Sequence, residues 1–392
     1  MARKIQQSGA VSLFSVIFAT MLLSVLVAGF MRLMIRDQQQ ATNNDLSQSA
    51  YDAALAGVED AKRVIRSAQA GNSRAYNALN DPDSEECTVI QRAGIAGVEG
   101  DSEVQVKSSD ANGEKFNQAY TCVNIAMDTP DYLYEAHEDK TWLVPLTATG
   151  EYNKISIEWY TREDSNGAVV GNPGGSTESL PPRASWGVTS TIPGVTSSVS
   201  APPIIRAQVI NPGEQIDLSA LDLTGQTAFV RPVSVSSSAT KPVEVPVNLA
   251  SAPRVVGDGA SGANSLYPVT CSAKFLYNDE YACRTVLVLD GSISEAASSN
   301  AFLRLSSIYS GAHVRVTLLN DTNAVSFHGV QPSVDSTGRA NDLFRRVEAR
   351  LQLGDDFPYP EGVVDINGNI CKDFSVTDTQ VITNTACDPS EP

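Results

Sequence analysis

Met1-Ala-Arg-Lys-Ile-Gln-Gln-Ser-Gly9 runs without a break into Ala10-Val-Ser-Leu-Phe-Ser-Val-Ile-Phe-Ala-Thr-Met-Leu-Leu-Ser-Val-Leu-Val-Ala-Gly-Phe-Met31. The first stretch carries Arg3 and Lys4; the second carries no charge over about 22 residues. At ~1.5 Å per residue, a helix of that length crosses a ~30 Å hydrocarbon layer. A secretory signal peptide has a shorter apolar core and a small-residue exit after it. Neither is present, so the segment reads as a membrane helix. Its hydroxyl residues (Ser12, Ser15, Thr20 and Ser24) can each bond a carbonyl one turn back. Arg32 and Arg36 close the far end against Arg3 and Lys4 at the near end, so the positive-inside count is close to a tie. The cysteines break it. All six lie beyond the span, an even number suited to disulfides outside the cytoplasm. The amino terminus is expected inside and the bulk of the chain exported.

No proline or glycine-rich break follows Met31. Leu46, Ala50, Ala53, Ala54, Val58, Ala61, Val64, Ile65 and Ala68 recur in steps of three and four and form one stripe. Asp45, Asp52, Glu59 and Asp60 come early, while Lys62, Arg63 and Arg66 come late. That charge order suits the helix dipole. Gly71-Asn72 is a stop signal. Span and extension together predict one rod of about 60 residues, or ~90 Å. Its alanine-rich stripe would pack against other rods or against a β-sheet of its own chain.

Over residues 1–70 the chain resembles the type IV pilins and pseudopilins, most closely minor pilins of the PilX N-terminal type. Gly9 before Ala10 is similar to the prepilin-peptidase junction, where a leader is cut on the cytoplasmic face and the new amine is commonly methylated. Most pilins place Phe or Met after the cut; here it is Ala10. They also carry a glutamate at the fifth mature position, which pairs with a neighbour's terminal amine. This chain has Phe14 there. A carboxylate in hydrocarbon is costly unless paired, and tip subunits and PilX-type minor pilins often lack it. The resemblance therefore implies a minor or tip subunit. It would be processed by a prepilin peptidase and assembled with other pilins and the pilus machinery, its helix packing through Phe14, Leu46, Ala50, Ala54, Val58, Ala61 and Ile65. The chain would sit as a single-pass protein of the inner membrane before reaching the pilus or cell surface.

The chain of 392 residues is acidic, with a net charge of −17. That argues against a broad phosphate-binding surface and nucleic acid as partner. Beyond residue 100, short alternating runs bounded by Gly, Pro, Asn and Asp read as antiparallel strands. Ile155, Ile157 and Trp159 share one face, as do Val347, Ala349, Leu351 and Leu353. Further runs are 284–289 and 313–318. No helical stripe is evident after residue 70. The fold class is α+β: a leader at 1–9, a membrane helix at 10–35 and an exported amphipathic helix at 36–70. A first β region over 71–165 would pack on that helix. A Gly, Pro, Ser and Thr-rich linker at 166–200 and a β-rich region at 201–392 complete the chain. The segments 191–200 and 242–246 look like edge strands or loops.

Six cysteines allow 15 pairings. Neighbourhood favours Cys87 with Cys122, Cys271 with Cys283 and Cys371 with Cys387, against the alternative of free buried thiols. Residues 275–281 read as a hairpin with Asn278-Asp279 at its tip. Cys371–Cys387 would resemble the terminal disulfide loop of many pilins.

Catalytic constellations are sparse. His137-Glu-Asp-Lys-Thr141 starts like a metalloprotease helix but lacks the second histidine. Gly257-Asp-Gly-Ala-Ser-Gly262 matches a dinucleotide fingerprint by letter only, with no helical pattern behind it. Asp365, Asn367 and Asn369 offer alternating oxygen ligands like the start of a calcium loop, but Val376 replaces the closing glutamate. An Asn-Gly turn is the plainer reading. Tyr132, Tyr134, Trp142, Trp159, Tyr160 and Trp186 could serve recognition or fill a core. These features lead to the expectation of a non-enzymatic, membrane-anchored subunit that starts or caps a filament and displays a β-rich region to a host or surface ligand. The alternative is a tethered adhesin that enters no filament.

Overall fold

A computed structural model describes residues 9–81, 87–95, 103–106, 117–138, 140–166, 169–170, 199–211, 226–236, 246–248, 266–272, 275 and 280–353. The fold is α+β, with one long apolar N-terminal helix and a mainly antiparallel β-rich region. The expected leader 1–8, Trp186, the glycine-rich 257–262, the Asn278-Asp279 tip, the calcium candidates Asp365, Asn367 and Asn369, and Cys371 and Cys387 lie outside the described residues.

Helix α1 (Gly9–Gln69) is unbroken over 61 residues, about 90 Å at the α-helical rise. Gly71 ends it with φ +89°. The amide of Gly71 bonds to Ala68 O at 3.0 Å and that of Asn72 to Ser67 O at 3.0 Å. This paired pattern satisfies the last carbonyls and needs a left-handed residue, which glycine supplies without a Cβ clash. Asn72 then caps α2 (Ser73–Asn80), its side chain accepting from the amides of Arg74 and Ala75. A five-residue helix α3 (Val89–Ala93) follows. Neither short helix is visible as periodicity, because two turns or fewer are too short to repeat a pattern.

Three sheets hold most of the strands. The helix-backed sheet runs β1 (Val104–Gln105), β2 (Gln118–Thr129), β16 (Phe327–Ala340), β17 (Leu343–Arg350), antiparallel throughout. A six-stranded sheet runs β10 (Pro246–Asn248), β12 (Tyr281–Ile293), β5 (Tyr152–Thr161), β14 (Ala312–Asn320) and β15 (Asn323–Val325), with β3 (Tyr132–Ala136) also on β14. The third runs β11 (Leu266–Ser272), β9 (Gln226–Ser236), β8 (Ile204–Ile210), β13 (Phe302–Ile308) and β4 (Thr141–Pro145). Strands β6 (Val169–Val170) and β7 (Val199–Ser200), at the two ends of the expected linker, pair in parallel. Two further contacts, β10 with β12 and β11 with β9, are also parallel.

The six- and five-stranded sheets share one core. Ile155, Ile157, Trp159, Leu287, Val314 and Val316 from one meet Val144, Ile205, Val230, Leu303 and Leu305 from the other. A second core lies between α1 and its sheet: Val58, Ala61, Val64 and Ile65 against Tyr120, Val123, Ile125 and Val334, with α2 and α3 at the side.

This arrangement separates strands by space and not by sequence. A first β region at 71–165 and a later one at 201–392 would each be contiguous in the chain. Instead β2 pairs with β16, and β5 lies between β12 and β14. Each sheet draws strands from both sides of residues 166–200. The strands flanking the expected hairpin between Cys271 and Cys283 lie in different sheets. β11 pairs with β9 in the five-stranded sheet, whereas β12 pairs with β5 and β10 in the six-stranded one. The Cys271–Cys283 disulfide thus ties the two layers of the sandwich together.

Candidate functional site: the projecting helix and the β-sandwich

One helix meets two environments. From Leu13 to Ile35 its large side chains are exposed around the whole circumference, Phe14 at 75% and Phe30 at 71%. Thr20 and Ser24 donate back to Ile17 O at 2.9 Å and Met21 O at 2.8 Å, so their hydroxyls do not demand water. The helix is long and apolar enough to cross a membrane. Leu46 is half-buried, and from Ala50 onward the stripe turns inward. Ala50, Ala53, Ala54, Ala61, Val64 and Ile65 are fully buried.

The stripe expected to pack against other pilin helices is therefore used within the subunit. Ala50, Ala54, Val58, Ala61 and Ile65 face the chain's own sheet, and of the expected packing set only Phe14 and part of Leu46 remain open. The contact is close because both partners are small. A Cβ on Gly338 of β16 would collide with the Ala50 carbonyl and the Ala54 nitrogen. A Cβ on Gly57 would meet Ser336 Oγ and come within 2.9 Å of Val123. Tyr120 donates its hydroxyl to Asp60 at 2.7 Å. Burial, the Asp60 hydrogen bond and the Asp60 charge all raise its pKa far above the ordinary tyrosine value, so that clamp stays protonated. Cys87–Cys122 joins the segment before α3 to β2. Gly9 and Ala10, the expected processing pair, begin α1.

The second candidate is the polar side of the six-stranded sheet. Glu158 on β5 stands opposite Arg284 on β12 and Arg315 on β14. Arg315 Nε lies 2.6 Å from Glu158 Oε2, and Arg284 Nε lies 3.6 Å from Oε1. Arg315 also reaches Glu280 at 2.8 Å and lies 4.7 Å from the Tyr281 ring centre. Burial works against the Arg315 charge, but Glu158 outweighs it and the pKa is raised. Burial pushes the Tyr281 hydroxyl up to about 12. A cleft of about 440 Å³ opens beside this network. Periodicity assigned the apolar side of β5 and left Ser156 and Glu158 as the wet side. The signal for the network was the alternation of Arg284, Glu158 and Arg315 on three runs, unreadable without the strand order.

His313 is on the cleft's rim. Its Nδ1 is 2.7 Å from Asp164 Oδ1, and its amide donates to Asp164 Oδ2 at 2.9 Å. The same oxygen accepts from the amide and hydroxyl of Thr161. Asp164 thus fastens the turn after β5 onto β14. Partial burial opposes charge on His313, but Asp164, helped by Glu135 and Glu163, raises its pKa above the ordinary value. His328 is held by Asp128 at 2.6 Å. In both, the carboxylate engages Nδ1 and fixes the orientation of the ring. His137 follows β3 and is exposed, not on a helix. Among the described residues, no group of three or more His, Cys, Asp or Glu is placed to hold a metal.

Of the aromatics read as serving recognition or filling a core, most are core. Trp159 is fully buried and donates Nε1 to Pro203 O at 3.1 Å. Tyr132, Trp142 and Tyr160 are also buried, and Tyr134 stacks on Trp142 at 4.4 Å. Compared with known proteins, the chain matches no protein-family model, no curated protein and no solved structure.

Proposed function

We propose that this chain is a minor pilin-like structural subunit, anchored by α1 and built to start or cap a type IV pilus or pseudopilus. The supporting observation is the division of α1: one continuous helix, bare and apolar over its first half and locked to its own sheet over its second. A tether needs only the first property. A filament subunit needs both, because its display region must follow the helix rigidly when the helix leaves the membrane.

In this reading the leader is removed after Gly9 and the amine of Ala10 becomes the mature terminus. Phe14 puts an apolar ring where a paired carboxylate would be needed inside a stack of subunits. A subunit without that pairing group suits a position with no neighbour beyond it. The chain would reside in the inner membrane and then at the pilus or cell surface, presenting the sandwich to a host or surface ligand. Its partners would be other pilins, the assembly machinery and the prepilin peptidase.

The test is the mass of the amino-terminal peptide from membranes and from sheared surface filaments. A peptide starting at Ala10, methylated and present in the sheared fraction, is the expected result. A start at Met1 or Ala2, confined to membranes, would replace this reading with a tethered adhesin.

A further inference from the structure

The helix-backed sheet ends in β17, which among the described residues pairs only with β16. The other open strand nearby, β3, is capped differently. Gln331 donates its Nε2 to Leu133 O at 2.8 Å and accepts from Leu133 N at 2.9 Å, so a side-chain amide stands in for a neighbouring strand. β17 is eight residues long, has no register shift against β16, and contains neither Gly nor Pro. The chain leaves it towards β3, with Gln352 Nε2 on the Tyr132 hydroxyl at 3.1 Å.

The ladder fixes which main-chain groups face outward. Leu351 N donates to Pro332 O at 2.8 Å. Antiparallel pairs alternate, so Leu343, Arg345, Val347 and Ala349 turn their main-chain groups towards β16. Those of Phe344, Arg346, Glu348 and Arg350 then point away. A new antiparallel strand must bond to this second set.

We propose that the occupant is a second copy of the same edge, the two β17 strands joining antiparallel with Val347 on the two-fold axis. In that register Arg346 of each copy bonds opposite Glu348 of the other, and Phe344 stands opposite Arg350. All four are outward-bonding residues, as the ladder requires. Sliding one step along the ladder sets Arg346 against Arg346. Sliding the other way sets Glu348 against Glu348 and Arg346 against Arg350. Like charges directly opposite are destabilising and opposite charges stabilising. Charged residues on an edge ordinarily guard it against pairing; here they exclude the neighbouring registers and favour one. Arg346 already bonds Asp335 of β16, so after pairing it would stand between that carboxylate and Glu348 of the second copy. Phe344, 55% exposed, would gain a cation over its ring.

The pairing has a directional consequence. A two-fold normal to a sheet reverses every direction lying in that sheet. Helix α1 lies along it, with Gly338 against Ala50 and Ala54 and Arg345 Nε 2.8 Å from Ser47 Oγ. The two apolar helices therefore leave the pair in opposite directions. The contact joins subunits held on two separate supports, not neighbours in one membrane. That last step rests on the display function proposed above; the pairing itself does not.

The experiment uses the full chain in detergent micelles, with mass measured by light scattering across a concentration series. Val347→Cys places two thiols at a non-hydrogen-bonded position, ~4.5 Å between Cα atoms and within disulfide reach. A reducible dimer is expected for Val347→Cys and not for the parent. Glu348→Arg should weaken dimerisation by about tenfold or more, and Arg346→Glu combined with Glu348→Arg should restore it to within ~threefold. A parent that stays monomeric throughout overturns the proposal. So does a dimer that Glu348→Arg leaves unchanged, since that association would run through the apolar helices. The amino-terminal mass test reads a different property, so either result can fail alone.

Discussion

The two halves of α1 share a backbone and differ in bulk, and bulk decides what each can touch. Between Leu13 and Ile35 the large apolar side chains are Leu, Phe, Val, Ile and Met, exposed on all sides. Between Ala50 and Ile65 the inward stripe is mostly Ala, with Gly57 in its middle. Large flexible side chains leave no flat track for a sheet and suit a fluid apolar solvent. A small-residue track lets the helix backbone approach a strand, and β16 answers with Gly338. The lesson is that apolar periodicity locates a buried face, and residue size then says how closely a strand can approach it.

Glycine substitution should break this contrast most sharply. Gly338→Leu meets helix backbone, which cannot rotate away, and should destabilise the β-rich region by about 3 kcal/mol or more in denaturant unfolding. Gly29→Leu, in the bare half with nothing within 4 Å of its Cβ position, should leave that transition unchanged. An unaffected Gly338→Leu chain would mean that helix and sheet do not meet closely. Truncation should sharpen the same line: Ile65→Ala is expected to cost about 3 kcal/mol and Leu23→Ala nothing measurable in the same assay. Replacing both Cys271 and Cys283 with Ala opens a loop with a sequence separation of 12. It should lower sandwich stability by about 2–3 kcal/mol, with helix content by circular dichroism kept.

The smallest effect concerns pH. His313 has a raised folded pKa, so its pairing with Asp164 stabilises most fully below the ordinary histidine value of ~6.5 and fades as pH rises through the folded value. Stability should therefore fall slightly from mildly acid to mildly alkaline pH. With 34% of the side chain exposed, the effect should stay well under ~1 kcal/mol. Comparing thermal midpoints of the parent and His313→Gln across that range reads it directly; equal slopes would remove His313 from the balance.

Much of this fold is legible in single elements and little of it in their arrangement. The helix and its stop at Gly71 follow from spacing and backbone freedom. The inward set Ile155, Ile157 and Trp159 follows from period-two alternation, though Tyr160 breaks the pattern. With φ +71° it is buried beside Trp159 instead of facing outward. Strand order is set by distant partners and leaves no local mark, so Glu158 reads as an ordinary exposed acid until Arg284 and Arg315 flank it. The Cys271–Cys283 segment shows the same limit. Nearness in sequence suggests a partner, but not that the bond crosses between two layers.

The pairing of β2 with β16 has a kinetic consequence. Partners such as Gln118 and Ala340 are 222 residues apart, taking 118 from 340. A chain emerging from its amino-terminal end presents the Ala50–Ile65 face long before Gly338 arrives to meet it. Contacts of such long range slow folding, so the stripe stays uncovered until nearly the whole chain has emerged. Formation of the β16–β17 hairpin would then time the closing of the helix face, and a chain interrupted before β16 would keep that face uncovered.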